Sequence, residues 1–147
     1  MLGTGGGGHF SRLPPRPDRP GKTMAHILLA EDDETMRRYL AAALRRAGHH
    51  VTAVGDGVKA LQRVGEIETD LLLADVVMPG MDGVELARRA ADRRPGLKVM
   101  FITGFAAVAL NARQRQSTGT RVLSKPFHLR ELVAEVDAML EMELPAS

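Results

Sequence analysis

Six polar side chains in this sequence are of the types that phosphoryl-transfer chemistry requires. They are Glu31, Asp32, Asp33, Asp75, Thr103 and Lys125. Carboxylates in modest number suit Mg²⁺, which is usually held by one or two of them together with water and a phosphate. An Asp carboxylate can also act as a nucleophile and form an acyl phosphate, while positive charge and hydrogen-bond donors stabilise the phosphoryl oxygens. The residue types therefore predict Mg²⁺-dependent phosphoryl transfer, provided that the fold brings these side chains together.

These residues stand at or just after the ends of apolar segments that predict β-strands. The predicted strands cover residues 26–30, 50–54, 70–77, 97–104 and 121–124. Amphipathic segments alternate with them, and this alternation predicts an α/β fold with a doubly wound five-stranded parallel sheet. The carboxyl ends of the strands lie at one edge of such a sheet, where ligands bind. We therefore expect the six side chains to meet at a single rim.

Helix signals fill the intervals between the predicted strands. Asp33, Asp56 and Asp82 stand at N-cap positions, so Asp33 is better explained as a cap than as a metal ligand. The Arg residues of the first and third helices lie mostly outside the apolar stripes, so we expect them to be solvated. A helix near 105–113 begins with six consecutive apolar residues, and any part that stays exposed would be a candidate partner surface. A last amphipathic helix carries the apolar positions of 129–140.

Composition limits the classes of protein to which the chain could belong. Its 147 residues fit one domain, it has no Cys, and no apolar run approaches the roughly 20 residues that span a bilayer. Residues 1–23 carry a charge of +3 within a total of +2, so the remainder is near neutral. A near-neutral body is poor evidence for nucleic-acid binding, which needs a clustered basic face. We expect a cytoplasmic protein with neither a nucleic-acid nor a membrane partner.

The chain divides into one predicted domain and two short flanking segments. Residues 1–23 are rich in Gly and Pro and are predicted to be disordered, because they cannot bury enough apolar surface to offset their ordering entropy. Two explanations of this extension stay open: translation that starts at Met24, or a basic arm that serves a partner. The predicted domain covers 24–142 and a short tail covers 143–147. The His residues show no metal-ligand spacing, and we interpret them as structural.

Four segments resemble, in order, the signature segments of response-regulator receiver domains. They are ILLAEDD (27–33), DVVMPGMDG (75–83), FITG (101–104) and LSKPF (123–127). The resemblance extends from residue 25 to about 140. It implies the (βα)5 flavodoxin-like fold and a regulatory phosphoacceptor, not an enzyme that acts on a separate substrate.

The resemblance also implies a role for each matching residue. Asp75 would be the phosphoacceptor, while Thr103 and Lys125 would bind the phosphoryl oxygens. The Mg²⁺ ligands would be Glu31, Asp32, Asp75 and the main-chain carbonyl of Val77. Asp32 is the better candidate of the acidic pair for direct contact with the metal. The bond between Lys125 and Pro126 would be cis, as is common in this family.

Two longer segments, 101–111 and 122–133, resemble single-domain regulators that act as adaptors for the ClpXP protease. That resemblance implies that the unphosphorylated form primes the protease, and that a histidine kinase or a histidine phosphotransfer protein supplies the phosphoryl group. The alternative is a phosphorelay intermediate that only passes phosphate onward. A phosphatase with an Asp nucleophile is disfavoured because the first strand is not followed by a D-x-D pair. A transcription factor is disfavoured because only seven residues follow Leu140.

Two positions depart from the usual receiver pattern. The strand-five position that often carries a switching aromatic residue is Val122, so a Thr–aromatic coupling is not expected. The residues two places after the phosphoacceptor and two places after Thr103 are Val77 and Phe105, both apolar. Neither side chain can orient a water molecule for attack on the acyl phosphate, so we expect slow self-dephosphorylation.

Overall fold

The computed structural model of the chain describes residues 24–104 and 120–141. Their core is a five-stranded parallel sheet with the order β2-β1-β3-β4-β5. The strands are β1 (His26–Ala30), β2 (His50–Val54), β3 (Leu71–Asp75), β4 (Lys98–Thr103) and β5 (Thr120–Ser124). The helices are α1 (Glu34–Arg46), α2 (Gly57–Glu66), α3 (Gly83–Arg93) and α4 (Leu129–Glu141). The predicted α/β class is confirmed, while the predicted helix near 105–113 and the flanks 1–23 and 143–147 lie outside the described residues.

Alternate residues of the strands build two hydrophobic layers, one on each face of the sheet. Leu28, Leu72 and Phe101 pack with α2 and α3, whereas Leu29 and Leu73 pack with α1 and α4. All five residues of β3 are buried because both faces of this central strand are covered. The apolar run DLLLAD in the sequence reflects this double coverage.

The three predicted N-caps are confirmed. The Asp33 carboxylate accepts from the Met36 N–H at 2.9 Å, and Asp56 and Asp82 each accept from the N–H three residues later at 2.8 Å. Each bond satisfies one of the N–H groups that a helix start leaves unpaired. The three caps therefore fix the residues at which these helices begin.

Some predicted strand ends differ from the observed ones. The prediction extended β3 over 70–77, but the strand ends at Asp75, two residues earlier. The chain leaves the sheet there because the Val77 N–H donates to the Asp75 side chain at 3.0 Å instead of continuing the ladder. β4 is likewise shorter by one residue at each end than its predicted range of 97–104.

Three of the four histidines of the described region make side-chain contacts within the fold. His49 is buried between the start of β1 and α4: its Nδ1 accepts from the Ala25 N–H at 3.2 Å, and its Nε2 lies 2.8 Å from an Asp137 oxygen. His26 and His50 are register partners on β1 and β2, with their rings stacked at 5.1 Å. No helix within residues 24–104 and 120–141 is long and apolar enough to cross a membrane.

Candidate functional site

The predicted site residues lie at the carboxyl ends of four parallel strands. Glu31 follows β1, Asp75 ends β3, Thr103 ends β4 and Lys125 follows β5. Three of them are almost fully buried, with exposed fractions of 1% for Glu31, 6% for Asp75 and 2% for Thr103. The sheet order places β1 and β4 on either side of β3, so the acids from β1 and the hydroxyl from β4 flank Asp75.

The acidic residues converge into one cluster. One carboxylate oxygen from each of Glu31, Asp32 and Asp75 lies within 4.8 Å of the other two, the only such group of three or more potential metal ligands in the described part of the chain. Asp32 is exposed, whereas its two neighbours are buried. Asp33 stands apart as the α1 cap, although its N–H also donates to Glu31 Oε2 at 3.0 Å.

Lys125 supplies the positive charge at this cluster. Its Nζ lies 3.3 Å from Asp75 Oδ2 and 3.9 Å from Glu31 Oε1, so it bonds the first and stands near the second. The main chain fixes its position, because the Lys125 N–H donates to the Thr103 carbonyl at 2.7 Å. The bond to Pro126 is cis, which confirms the prediction.

Glu31 is the group with the most perturbed acid–base behaviour. Burial raises the pKa of its carboxyl to about 7, and the neighbouring Asp75 carboxylate adds to the rise, whereas the Asp33 N–H and Lys125 act against it. Its buried Oε1 has no hydrogen-bond partner among the described residues. An unpartnered oxygen on a buried carboxyl, next to two further carboxylates, matches what a hard cation such as Mg²⁺ accepts. The donor set therefore fits the predicted metal.

Both carboxylate oxygens of Asp75 have a hydrogen-bond partner. Oδ1 accepts from the Val77 N–H at 3.0 Å, and Oδ2 faces Lys125. The chain then turns tightly, and the Gly83 N–H donates to the Val76 carbonyl at 2.9 Å. At Gly83, any Cβ would overlap the Asp75 carbonyl oxygen, so the start of α3 packs directly on the main chain of Asp75. The Asp75 carboxylate is thus held in place by contacts within the protein.

Val77, Phe105 and Val122 are the positions that depart from the usual pattern. The Val77 side chain is 70% exposed at the rim next to Asp75. Val122 is half-buried and lies opposite Phe101 in the β4–β5 register. Phe105 lies outside the described residues. The Thr103 hydroxyl donates to the Gly104 carbonyl at 3.3 Å, a long bond that a better acceptor could replace.

One residue of this region differs from its predicted environment. Arg37 was expected on a solvated face of α1, but it is half-buried, and its Nη1 donates to the Glu31 carbonyl at 2.8 Å. Hydrophobic periodicity cannot reveal such a contact, because the partner is a main-chain oxygen. The available signal is a cation near the start of a helix, where the helix dipole disfavours positive charge.

Comparison with known proteins finds relatives over most of the chain. The profile of the family described as the response regulator receiver domain matches residues 27–137. The response regulator receiver protein CpdR of Brucella abortus is 58% identical over 117 residues, which cover 80% of this chain and 98% of CpdR. Sensor kinase CckA of the same species is 36% identical over 121 residues, which cover 81% of this chain and 13% of the kinase.

Solved structures of similar proteins agree with the fold. The receiver domain of the hybrid histidine kinase CckA has a TM-score of 0.67 at 33% identity, with 79% of this chain and 99% of that chain covered. A response regulator receiver protein from Sinorhizobium medicae has a TM-score of 0.71 at 28% identity, with 80% of this chain and 94% of that chain covered.

Proposed function

This chain belongs to the response regulator receiver family, and on that premise we propose that it is a switch in which Asp75 accepts a phosphoryl group with the help of Mg²⁺. The observation that carries the proposal is the environment of Asp75. A buried carboxylate lies beside two further acids and one ammonium group, at the sheet edge where ligands of open α/β sheets bind.

Glu31, Asp32, Asp75 and the main-chain carbonyl of Val77 are the residues that would hold Mg²⁺. When bound, the metal would supply positive charge against the phosphoryl oxygens. The fit rests on the Glu31 oxygen that has no hydrogen-bond partner among the described residues and on the raised pKa of its carboxyl. Both the unpartnered oxygen and the raised pKa indicate that no positively charged group within residues 24–104 and 120–141 lies within hydrogen-bonding distance of the Glu31 Oε1 atom.

The protein's own groups account for the remaining requirements of the transfer. A carboxylate oxygen of Asp75 forms a bond to phosphorus, and the bond between phosphorus and the donor atom breaks, with the electron pair leaving on the donor. The Lys125 ammonium stabilises charge on the phosphoryl oxygens, and the Thr103 hydroxyl is the hydrogen-bond donor that we assign to one of them. The Val77 N–H keeps the carboxylate from rotating away.

For the output of the switch, we propose the control of a protease partner. Two observations support this output: CpdR of Brucella abortus is 58% identical and is covered to 98% of its length, and segments 101–111 and 122–133 of this chain resemble regulators that act as ClpXP adaptors. The unphosphorylated protein would prime the protease in the cytoplasm, and phosphorylation by a histidine kinase or a histidine phosphotransfer protein would end the priming. The 36% identity to the CckA receiver region favours a second candidate, a phosphorelay intermediate.

Reconstituted proteolysis separates the two candidates. The assay would measure degradation of an adaptor-dependent substrate by purified ClpXP, with the wild-type protein, with the protein treated with acetyl phosphate and Mg²⁺, and with Asp75→Asn. An adaptor accelerates degradation when unphosphorylated and loses this effect on phosphorylation, while the variant keeps it under both conditions. If none of the three proteins affects degradation but the wild type passes phosphate to a histidine phosphotransfer protein, the relay is correct instead.

A further inference from the structure

We propose that Arg37 is a positioning residue that orients Asp32 toward the Mg²⁺ site through the main chain. The inference rests on the proposed function and adds to it a residue that touches neither the metal nor the phosphoryl group. It starts from the hydrogen bond of 2.8 Å that Arg37 Nη1 donates to the Glu31 carbonyl oxygen.

That carbonyl belongs to the peptide unit that leads into Asp32. Because a peptide unit is planar, an oxygen held in place also fixes the direction of the following N–H and Cα. The Asp32 carboxylate is exposed, and one of its oxygens lies within 4.8 Å of oxygens of Glu31 and Asp75. The position of the Asp32 Cα sets where this carboxylate can reach, and Arg37 holds the peptide unit that sets the position of that Cα.

Other hydrogen bonds already hold the rest of Glu31 and the neighbouring Asp33 in place. The Glu31 N–H donates to the Val54 carbonyl at 3.1 Å, which extends the ladder between β1 and β2. The Glu31 carboxylate accepts from the Asp33 N–H, and Asp33 caps α1. The remaining polar group of this segment is the carbonyl of the peptide unit between Glu31 and Asp32. The Arg37 guanidinium is the group that hydrogen-bonds to it.

Gly55, just after β2, provides the space for this guanidinium. A Cβ at Gly55 would lie 3.1 Å from Arg37 Nη1 and 3.7 Å from its Cζ. The backbone of Gly55 does not have the positive φ seen at Gly48, Gly80 and Gly96, so its conformation does not require glycine. The absence of a side chain at this position matches the close approach of Arg37.

The sign of the effect on Mg²⁺ affinity separates positioning from simple electrostatics. A guanidinium near three carboxylates opposes a second cation, so the loss of its charge alone would strengthen Mg²⁺ binding. The loss of a group that orients a metal ligand weakens binding, by roughly tenfold or more for outer-shell partners. The two roles of Arg37 therefore predict opposite changes.

Isothermal titration with MgCl₂ tests the proposal. We expect Arg37→Met to weaken Mg²⁺ binding by roughly tenfold, and Arg37→Lys to recover most of it, because the ammonium can still donate to the carbonyl. Arg38→Met is the matched control: Arg38 is one residue away, lies 3.7 Å from Glu34 and is highly exposed. This control removes the same charge and should leave Mg²⁺ binding unchanged or slightly tighter.

Urea unfolding in EDTA establishes whether each variant is folded before its affinity is interpreted. If Arg37→Met does not fold, Gly55→Ala displaces the guanidinium by a milder route and should weaken Mg²⁺ binding in the same direction. Equal or tighter binding by a folded Arg37→Met, or by Gly55→Ala in its place, would overturn the positioning role. Failure of the wild-type protein to bind Mg²⁺ would instead overturn the proposed function, since no variant is involved.

Discussion

At the scale of single residues, the two oxygens of Asp75 have different partners. Oδ1 is held by a main-chain N–H, while Oδ2 faces the Lys125 ammonium at 3.3 Å. An ionised acceptor makes a hydrogen bond about twice as strong as a neutral one. If Asp75 is the phosphoacceptor, as proposed, an acyl phosphate would remove the charge of its carboxylate and weaken the bond to Val77. The connection between β3 and α3 would then respond first to phosphorylation.

The loss of the Lys125 charge should slow phosphorylation without weakening Mg²⁺ binding. We expect Lys125→Met to reduce the rate of phosphorylation by acetyl phosphate about a hundredfold, because a preorganised group that stabilises transition-state charge is gone. Mg²⁺ affinity should stay equal or rise, because a competing cation has left the cluster. The rate can be followed by intact-mass spectrometry over time.

Lys59→Met provides the control for this prediction. Lys59 is exposed on α2, and its main-chain N–H donates to the Asp56 cap. Its replacement should leave the phosphorylation rate unchanged. An unchanged rate in Lys125→Met would show that the ammonium has no part in the transfer.

The residues of the site could be predicted from the sequence, but their electrostatic state could not. Asp75, Thr103 and Lys125 were identifiable because each stands where an apolar strand ends. The raised pKa of Glu31 results from burial beneath neighbouring elements and from the approach of Asp75. Both depend on three-dimensional packing, as does the contact of Arg37 with a carbonyl oxygen.

At the scale of elements, the junction between β3 and α3 is the tightest contact of the site. Gly83 begins α3 with no room for a Cβ, because the Asp75 carbonyl occupies that space. Displacement of this main-chain oxygen would require the β3 backbone to shift, which costs more free energy than the rotation of a side chain. The first turn of α3 is therefore closely packed against the main chain of β3.

Two glycine substitutions with opposite expected signs test this junction. Gly83→Ala should lower the free energy of unfolding by about 1–3 kcal/mol, through overpacking against main chain. Gly65→Ala lies inside α2, where a Cβ would meet the Arg93 guanidinium at an ordinary 3.6 Å. It should raise the free energy of unfolding by about 0.5–1 kcal/mol, because alanine favours helices. Urea denaturation measures both, and a neutral Gly83→Ala would contradict the close packing.

Element types, helix starts and the bounds of β1 and β2 followed from local patterns, whereas the ends of β3 and β4 did not. The Asp caps and the alternation of apolar segments are encoded by neighbours in sequence, and the structure confirms them. The end of β3 is decided by a side chain that bonds its own main chain two residues later. The apolar segment DLLLADVV contains no Gly or Pro that would predict the end of the strand at Asp75.

At the scale of the whole molecule, the strand order gathers residues from distant parts of the chain at one rim. β1, β4 and β5 bring Glu31, Thr103 and Lys125 to the end of β3, and α1 and α2 begin at the same edge. The other end of the sheet holds His49 and the stacked pair of His26 and His50, whose contacts serve packing. The proposed phosphorylation site and these histidine contacts thus lie at opposite ends of the strands.

The rim also bears on how long a phosphoryl group would persist. Val77 is exposed beside Asp75 but has no polar atom in its side chain that could orient water. We expect the phosphorylated protein to decay over minutes or longer, and Val77→Asn to shorten that lifetime. Decay can be followed by intact-mass spectrometry after removal of acetyl phosphate. A wild-type half-life of seconds would contradict this expectation.

The measurement that tests the central claim most directly is intact-mass spectrometry after incubation with acetyl phosphate and Mg²⁺. The account predicts a mass gain of one phosphoryl group in the wild-type protein, no gain in EDTA and no gain in Asp75→Asn. Peptide mapping should place the group on Asp75. A wild-type protein that gains no mass under these conditions, or a variant that gains as much as the wild type, would contradict the assignment of Asp75 as the phosphoacceptor.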